Sequence, residues 1–227
     1  MTARTDGKGE TRHPYLRPRD AAAIVLLDRS GDGVRVLMGK RSSRHAFMPD
    51  VHVFPGGKCD ADDHALPHAS TLHPEVERLL RIGPPAGLGA ARARALALTA
   101  WRELCEETGL TPEGGLPPLH CLRLAARAIT PPGNVRRYDT RFFVTYTDEA
   151  GLNPAHMRDS DELHDLLWLD IEADSSLNIP QITRAVLEDV RTLLKNRPTL
   201  AFDAPVPFYR HRNGRELRDY LRGNADV

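Results

Sequence analysis

Apolar residues in this chain fall in short runs separated by links rich in Gly, Pro and Asp, with two longer stretches of helical period. Residues 21–27 are continuously apolar and read as a buried strand. Residues 34–38 read as its partner, because Ser30-Gly31-Asp32-Gly33 between them has hairpin chemistry. Residues 51–54 form a further short strand feeding Pro55-Gly56-Gly57. A short helix is predicted over 74–81: Pro74 suits the first turn, Val76, Leu79 and Leu80 make an apolar stripe, and Gly83 stops it. A longer helix over 90–108 turns Leu96, Ala97, Ala100 and Leu104 to the core. Residues 119–126, 141–147 and 166–169 read as strands, and 181–195 as an amphipathic helix. Residues 208–216 read as a hairpin about Asn213-Gly214.

These elements predict an α/β chain with a polar tail over 1–19, one domain over 20–200, and an extension over 201–227 packed on that domain. The 227 residues are enough to bury a substantial core. Lys plus Arg and Asp plus Glu both number 31, so no global field attracts a polyanion, and a long nucleic acid is not an expected partner. No segment reaches the roughly 18 apolar residues of a membrane span. Cys59, Cys105 and Cys121 have no metal-ligand spacing and an odd count, which suits reduced thiols in the cytoplasm.

The chemistry is concentrated in Arg102-Glu103-Leu104-Cys105-Glu106-Glu107-Thr108-Gly109-Leu110. On a helix Glu103 lies three residues from Glu106 and four from Glu107, so the three carboxylates share a face and repel one another. Hard divalent cations such as Mg²⁺ or Mn²⁺ relieve that repulsion, most readily when substrate phosphate completes the shell. Arg102, four residues before Glu106, can hold a carboxylate in place, and Gly109 is a helix-ending C′ residue. A solvated acidic face would also carry glutamate pairs. The Arg, the aliphatic position and the terminal Gly-Leu at these spacings are what it would not require.

This segment resembles the second half of the Nudix box, the signature of a hydrolase family that cleaves nucleoside diphosphates linked to a further group X. Its first half normally runs Gly, five residues, Glu, seven residues, Arg. Gly56-Gly57 resembles the start, but residues 58–93 separate it from the position eight before Arg102, and that position is Arg94, not Glu. The resemblance therefore implies a long insertion and a missing glutamate. It extends to a branch that interrupts the box at this place and includes a peroxisomal coenzyme A diphosphatase. Matching residues are Lys40-Arg41-Ser42, Phe47-Met48-Pro49, Asp60 and Asp63, Ile129-Thr130-Pro131-Pro132-Gly133, and Arg137 to Phe143. Of the coenzyme A signature of better-known diphosphatases, Arg41-Ser42 fits while Ala46 and Asp50 do not.

What the resemblance implies is an α/β/α sandwich with a mixed central sheet and an insertion within the strand-loop-helix box. It also implies Mg²⁺ or Mn²⁺ held by Glu103, Glu106, Glu107 and a backbone carbonyl of Gly56 or Gly57, a small nucleotide substrate, and a homodimer. Coenzyme A or its acyl esters head the substrates; ADP-ribose, a dinucleotide or a nucleotide sugar stay open. So does a Nudix-fold binding module that has lost catalysis. Glu162 is the candidate general base, with Asp148 and Glu149 as rivals. Arg41, Arg44, Arg137 and Arg141 are candidate phosphate or X-group ligands, since guanidinium matches phosphate oxygens in two-point contact. His64, His68 and His73 stand beside Asp60, Asp62 and Asp63, but nothing regular aligns them into a metal site. The long insertion reads better as a flexible cover over the cleft.

Overall fold

The computed structural model describes residues 16–42, 49–82, 88–173, 176–196, 199–212 and 214–221. Among the described residues, nine strands form one mixed sheet. In chain order they are β1 (Arg19–Asp28), β2 (Arg35–Arg41), β3 (His52–Val53), β4 (Gly56–Lys58), β5 (Arg123–Ile129), β6 (Tyr138–Tyr146), β7 (Leu163–Asp170), β8 (Val206–Arg212) and β9 (Arg215–Leu221). The path across the sheet is β3-β2-β1-β6-β5-β8-β9, with β4 pairing β1 and β7 pairing β2. β1 runs parallel to β6 and β5 parallel to β8; the other pairings are antiparallel. β1 is buried on both faces, which is why its sequence is an unbroken apolar run and not an alternating one.

Among the described residues, three α-helices cover the sheet: α1 (Pro74–Leu80), α2 (Ala90–Thr108) and α3 (Gln181–Asn196). α1 and α2 pack one face, where Val76, Leu80, Leu96, Trp101 and Leu104 meet Ile24, Leu26 and Phe143. The other face is covered by α3, whose Val186, Leu187 and Val190 meet Val25, Ala126 and Val144. Leu96, Ala97, Ala100 and Leu104 are fully buried, as the helical period predicts. Gly109 ends α2 with φ 68°, a conformation glycine adopts without a Cβ penalty.

Three readings of the sequence are corrected. Residues 56–58 form a strand where a turn is expected, because Gly56 carries no side chain. A Cβ on it would stand 2.6 Å from the Ala22 carbonyl oxygen. Leu119–Cys121 is a 3₁₀ turn, so β5 begins at Arg123. In its described residues the insertion is a packed part of the fold and not a loose cover. Val76, Leu79 and Leu80 of α1 are buried, the His73 ring stacks on Phe202 at 3.9 Å, and among the described residues none beyond Lys58 in the insertion lines the main cleft. Its histidines do not gather: His73 accepts the Glu75 N–H at the start of α1, and His64 is exposed. No helix among the described residues is long and apolar enough to cross a membrane.

Candidate active site

β4 and α2 meet edge to face, and the acidic residues gather at that contact. Gly57 lies against Glu103 so closely that a Cβ there would overlap the carboxylate. The Gly56 N–H donates to Glu107 Oε2 at 2.8 Å. Two adjacent glycines thus let the backbone approach two carboxylates of one helix face. Glu103 and Glu107 are 9% and 6% exposed, and Glu162, just before β7, lies near enough to raise the proton affinity of both. Burial is the largest cause of these shifts. It pushes Glu103 above the ordinary carboxylate range and Glu107 to about 8, against opposing help from Arg102 and from the Gly56 N–H and Arg41.

Arg102 ties the cluster to the insertion. Its Nε donates to Asp63 Oδ1 at 2.7 Å and its Nη2 to Asp63 Oδ2 at 3.1 Å, while Nη1 reaches Glu103 Oε1 and Glu106 Oε2, both at 2.9 Å. Burial alone would push Asp63 up. The Arg102 fork, the Asp60 N–H and the Thr99 hydroxyl outweigh it and hold Asp63 below the ordinary range. The Asp63 bonds, against the cost of burial, likewise hold Arg102 well above its ordinary value.

This contact corrects the reading of the box. Lys58 to Asp62 are the five residues after Gly57, so Asp63 stands at the acidic position of the first half. The acid is not missing, and Arg94 does not replace it: the insertion follows Asp63 instead of preceding the acid position. Sequence spacing alone could have found this, because the gap from Gly57 to Asp63 is the unbroken spacing of the motif with a shorter acid at its end.

A cleft of about 700 Å³ opens from Glu103, Glu107 and Glu162 across the sheet towards α3 and the β8–β9 hairpin. Of the arginines singled out from sequence, only Arg41 is seen to line it. Arg137 is spent on the carbonyls of Thr130 and Leu16, at 3.0 and 2.7 Å. Arg141 alternates with Thr140 and Phe142 along β6 and faces the opposite side. It is 3% exposed there and bonded to Asp20 at 3.2 Å and to Asp139 at 3.1 Å. Arg44 lies outside the described residues. Asp148 and Glu149 pair with Arg29 and Arg123 at the far end of β6, outside the cleft. Glu106 is largely exposed and held by Arg102. Lining residues that sequence reasoning missed include Arg136 and Tyr209, which only the meeting of distant strands brings to one cavity.

No family model matches the chain. A curated relative, the acyl-coenzyme A diphosphatase NUDT19 of Gallus gallus, is 40% identical over 91 residues. That match covers 35% of this chain and 22% of the relative, so the chain matches only about a fifth of that protein's length. A Nudix hydrolase of Alicyclobacillus acidocaldarius superposes with a TM-score of 0.54 at 25% identity, over 76% of this chain and 90% of that one. The fold is that of the Nudix hydrolases. The Nudix domain of Shewanella oneidensis NrtR, solved with ADP ribose, shares the fold: its TM-score is 0.51 at 14% identity, over 84% of this chain and 94% of that one.

Nudix hydrolases use divalent cations, and the donors here fit one. Among the described residues, no three Asp, Glu, His or Cys side chains converge closely enough to hold an ion unaided. Mg²⁺ does not require that: it is commonly bound by one or two carboxylates, with waters and substrate phosphates filling the shell. Glu103 and Glu107 are two buried carboxylates whose proton affinities are raised chiefly by burial, so a cation beside them would favour their charged forms.

Proposed function

We propose that this protein is a divalent-cation-dependent diphosphatase that cleaves a nucleoside diphosphate linked to a group X, with coenzyme A or an acyl-coenzyme A as the first candidate. The observation that carries this reading is the buried pair Glu103 and Glu107 facing Gly56-Gly57, with Arg102 anchored by Asp63. In it, Glu103, Glu107 and the Gly57 carbonyl would hold Mg²⁺ or Mn²⁺, and Glu106 would contribute from the outer edge. The bound cation would neutralise charge growing on the phosphoryl oxygens and make water a better nucleophile.

Glu162 then accepts the proton of the attacking water. The water oxygen bonds to one phosphorus, the bridging P–O bond breaks, and the leaving phosphate keeps the electron pair. From coenzyme A the products would be adenosine 3′,5′-bisphosphate and phosphopantetheine. Arg41, at the carboxylate end of the cleft, is the guanidinium assigned to the diphosphate. Asp148 and Glu149 are set aside as bases because each is engaged with an arginine away from the cleft.

The coenzyme A assignment draws support from the relative named for that activity. A second reading, the same cleavage of ADP-ribose, draws on the neighbour solved with that ligand. Product release from coenzyme A, ADP-ribose, a dinucleotide and a nucleotide sugar, each with and without Mg²⁺, tests both. Glu107→Gln should cost several kcal/mol of transition-state stabilisation, roughly a thousandfold in kcat/KM. Undiminished turnover by that variant overturns the metal assignment. No turnover of any substrate with Mg²⁺ or Mn²⁺ leaves the chain a nucleotide-binding module.

A further inference from the structure

The cleft extends well past the carboxylates, and its floor follows the register of the sheet. Lys58 on β4 pairs with Ala21 on β1, Ala21 with Thr140 on β6, Thr140 with Ala128 on β5, Ala128 with Tyr209 on β8, and Tyr209 with Arg218 on β9. All six line the one cavity. At about 4.8 Å between neighbouring strands this row spans roughly 24 Å. Its middle positions are Ala, Thr and Ala, so the row is a trough, and the first turn of α3 overhangs it through Ile182 and Ala185.

Tyr209, the first large side chain along the row past Ala128, stands pinned towards the far end. Its hydroxyl donates to Asp189 on α3 and accepts from Arg218 Nε at 3.2 Å. The charges around it are already matched. Arg218 spends its remaining nitrogens on Asp189 at 2.6 Å and on the Tyr220 hydroxyl at 2.7 Å, and Arg210 is paired with Asp219 at 2.7 Å. An anionic group seated against Tyr209 would find its nearest guanidinium committed. An uncharged chain would leave every one of these pairs intact and cover apolar floor.

We propose that this trough selects the substrate by accepting an uncharged, extended, largely apolar leg, with Ala128 and Thr140 setting its girth and Tyr209 its length. This rests on the diphosphatase reading for which end of the cleft reacts, but binding tests the trough on its own. The probes are adenosine 5′-diphosphate β-n-alkyl esters from methyl to hexadecyl, titrated by calorimetry in EDTA and assayed for cleavage with Mg²⁺. Each methylene that enters the trough should tighten Kd by up to about fourfold, from the ~0.8 kcal/mol that a buried methylene contributes, until a plateau marks Tyr209.

Ala128→Phe, or Thr140→Leu should the first not fold, should abolish this length dependence, weakening the octyl ester far more than the methyl ester. Kd that is flat with chain length, or a penalty equal for methyl and octyl esters, overturns the proposal. If no ester is cleaved yet Kd still tightens with length and Ala128→Phe removes the trend, the trough stands and the diphosphatase reading falls.

Discussion

Asp63 governs more of the carboxylate geometry than its distance along the chain suggests. It is 1% exposed and satisfied by Arg102, Thr99 and the Asp60 backbone, so the guanidinium that reaches Glu103 and Glu106 has a fixed two-point anchor. Asp63→Ala removes that two-point anchor and leaves Arg102 with the Lys58 carbonyl, at 3.1 Å, as its one contact besides the glutamates it should be holding still. Supporting partners of this kind typically matter 10- to 100-fold to metal affinity or activity. The expected result is about that loss in kcat/KM, with half-saturation at higher Mg²⁺. A Mg²⁺ titration matching the wild type would show that Arg102 is oriented without it.

Among the helices, α1 shows what the insertion contributes. A cover over the cleft would be loosely packed and would move KM when altered. α1 instead sends Val76, Leu79 and Leu80 into the core shared with α2, and His73 at its start stacks on Phe202. Leu80→Ala should therefore cost about 2–5 kcal/mol in denaturant unfolding, as other buried leucines do, and leave KM unchanged. A raised KM at unaltered stability would return the insertion to the cleft. The β8–β9 hairpin is the counterpart on the other side: it extends the sheet through β5 and supplies the end of the trough.

For the molecule as one unit, the buried carboxylates link stability to pH and to metal. Burial first, then Glu103 and Glu162, raise Glu107 from an ordinary 4.5 to about 8, and Glu103 is raised as well. Between those values the folded state binds more protons than the unfolded chain, so stability falls as pH rises. In EDTA the unfolding temperature should drop from about pH 5 to pH 8. Mg²⁺ should recover most of the loss at pH 8, where both carboxylates are then ionised on the cation. Calorimetry across that range, with and without Mg²⁺, checks it. A metal-free melting temperature that rises over this interval would contradict the burial of Glu107.

The sequence by itself determined the elements whose pattern is local and the chemistry that one helix face can carry. The α2 helix runs over the predicted 90–108, Gly109 terminates it in the left-handed region, and the glutamate spacing fixes which carboxylates share a face. Tertiary structure decided whatever depends on two segments meeting. Asp63 became the partner of Arg102 because the insertion folds back on α2. Arg141 was withdrawn from the cleft because strand alternation turns it to the other face, onto Asp20 and Asp139. Arg41 and Glu162 came to one cavity from β2 and the start of β7, and Ala21, Thr140, Ala128 and Tyr209 aligned across four strands. Periodicity tells which way a side chain points within its own element. Register and packing between elements decide what it then faces.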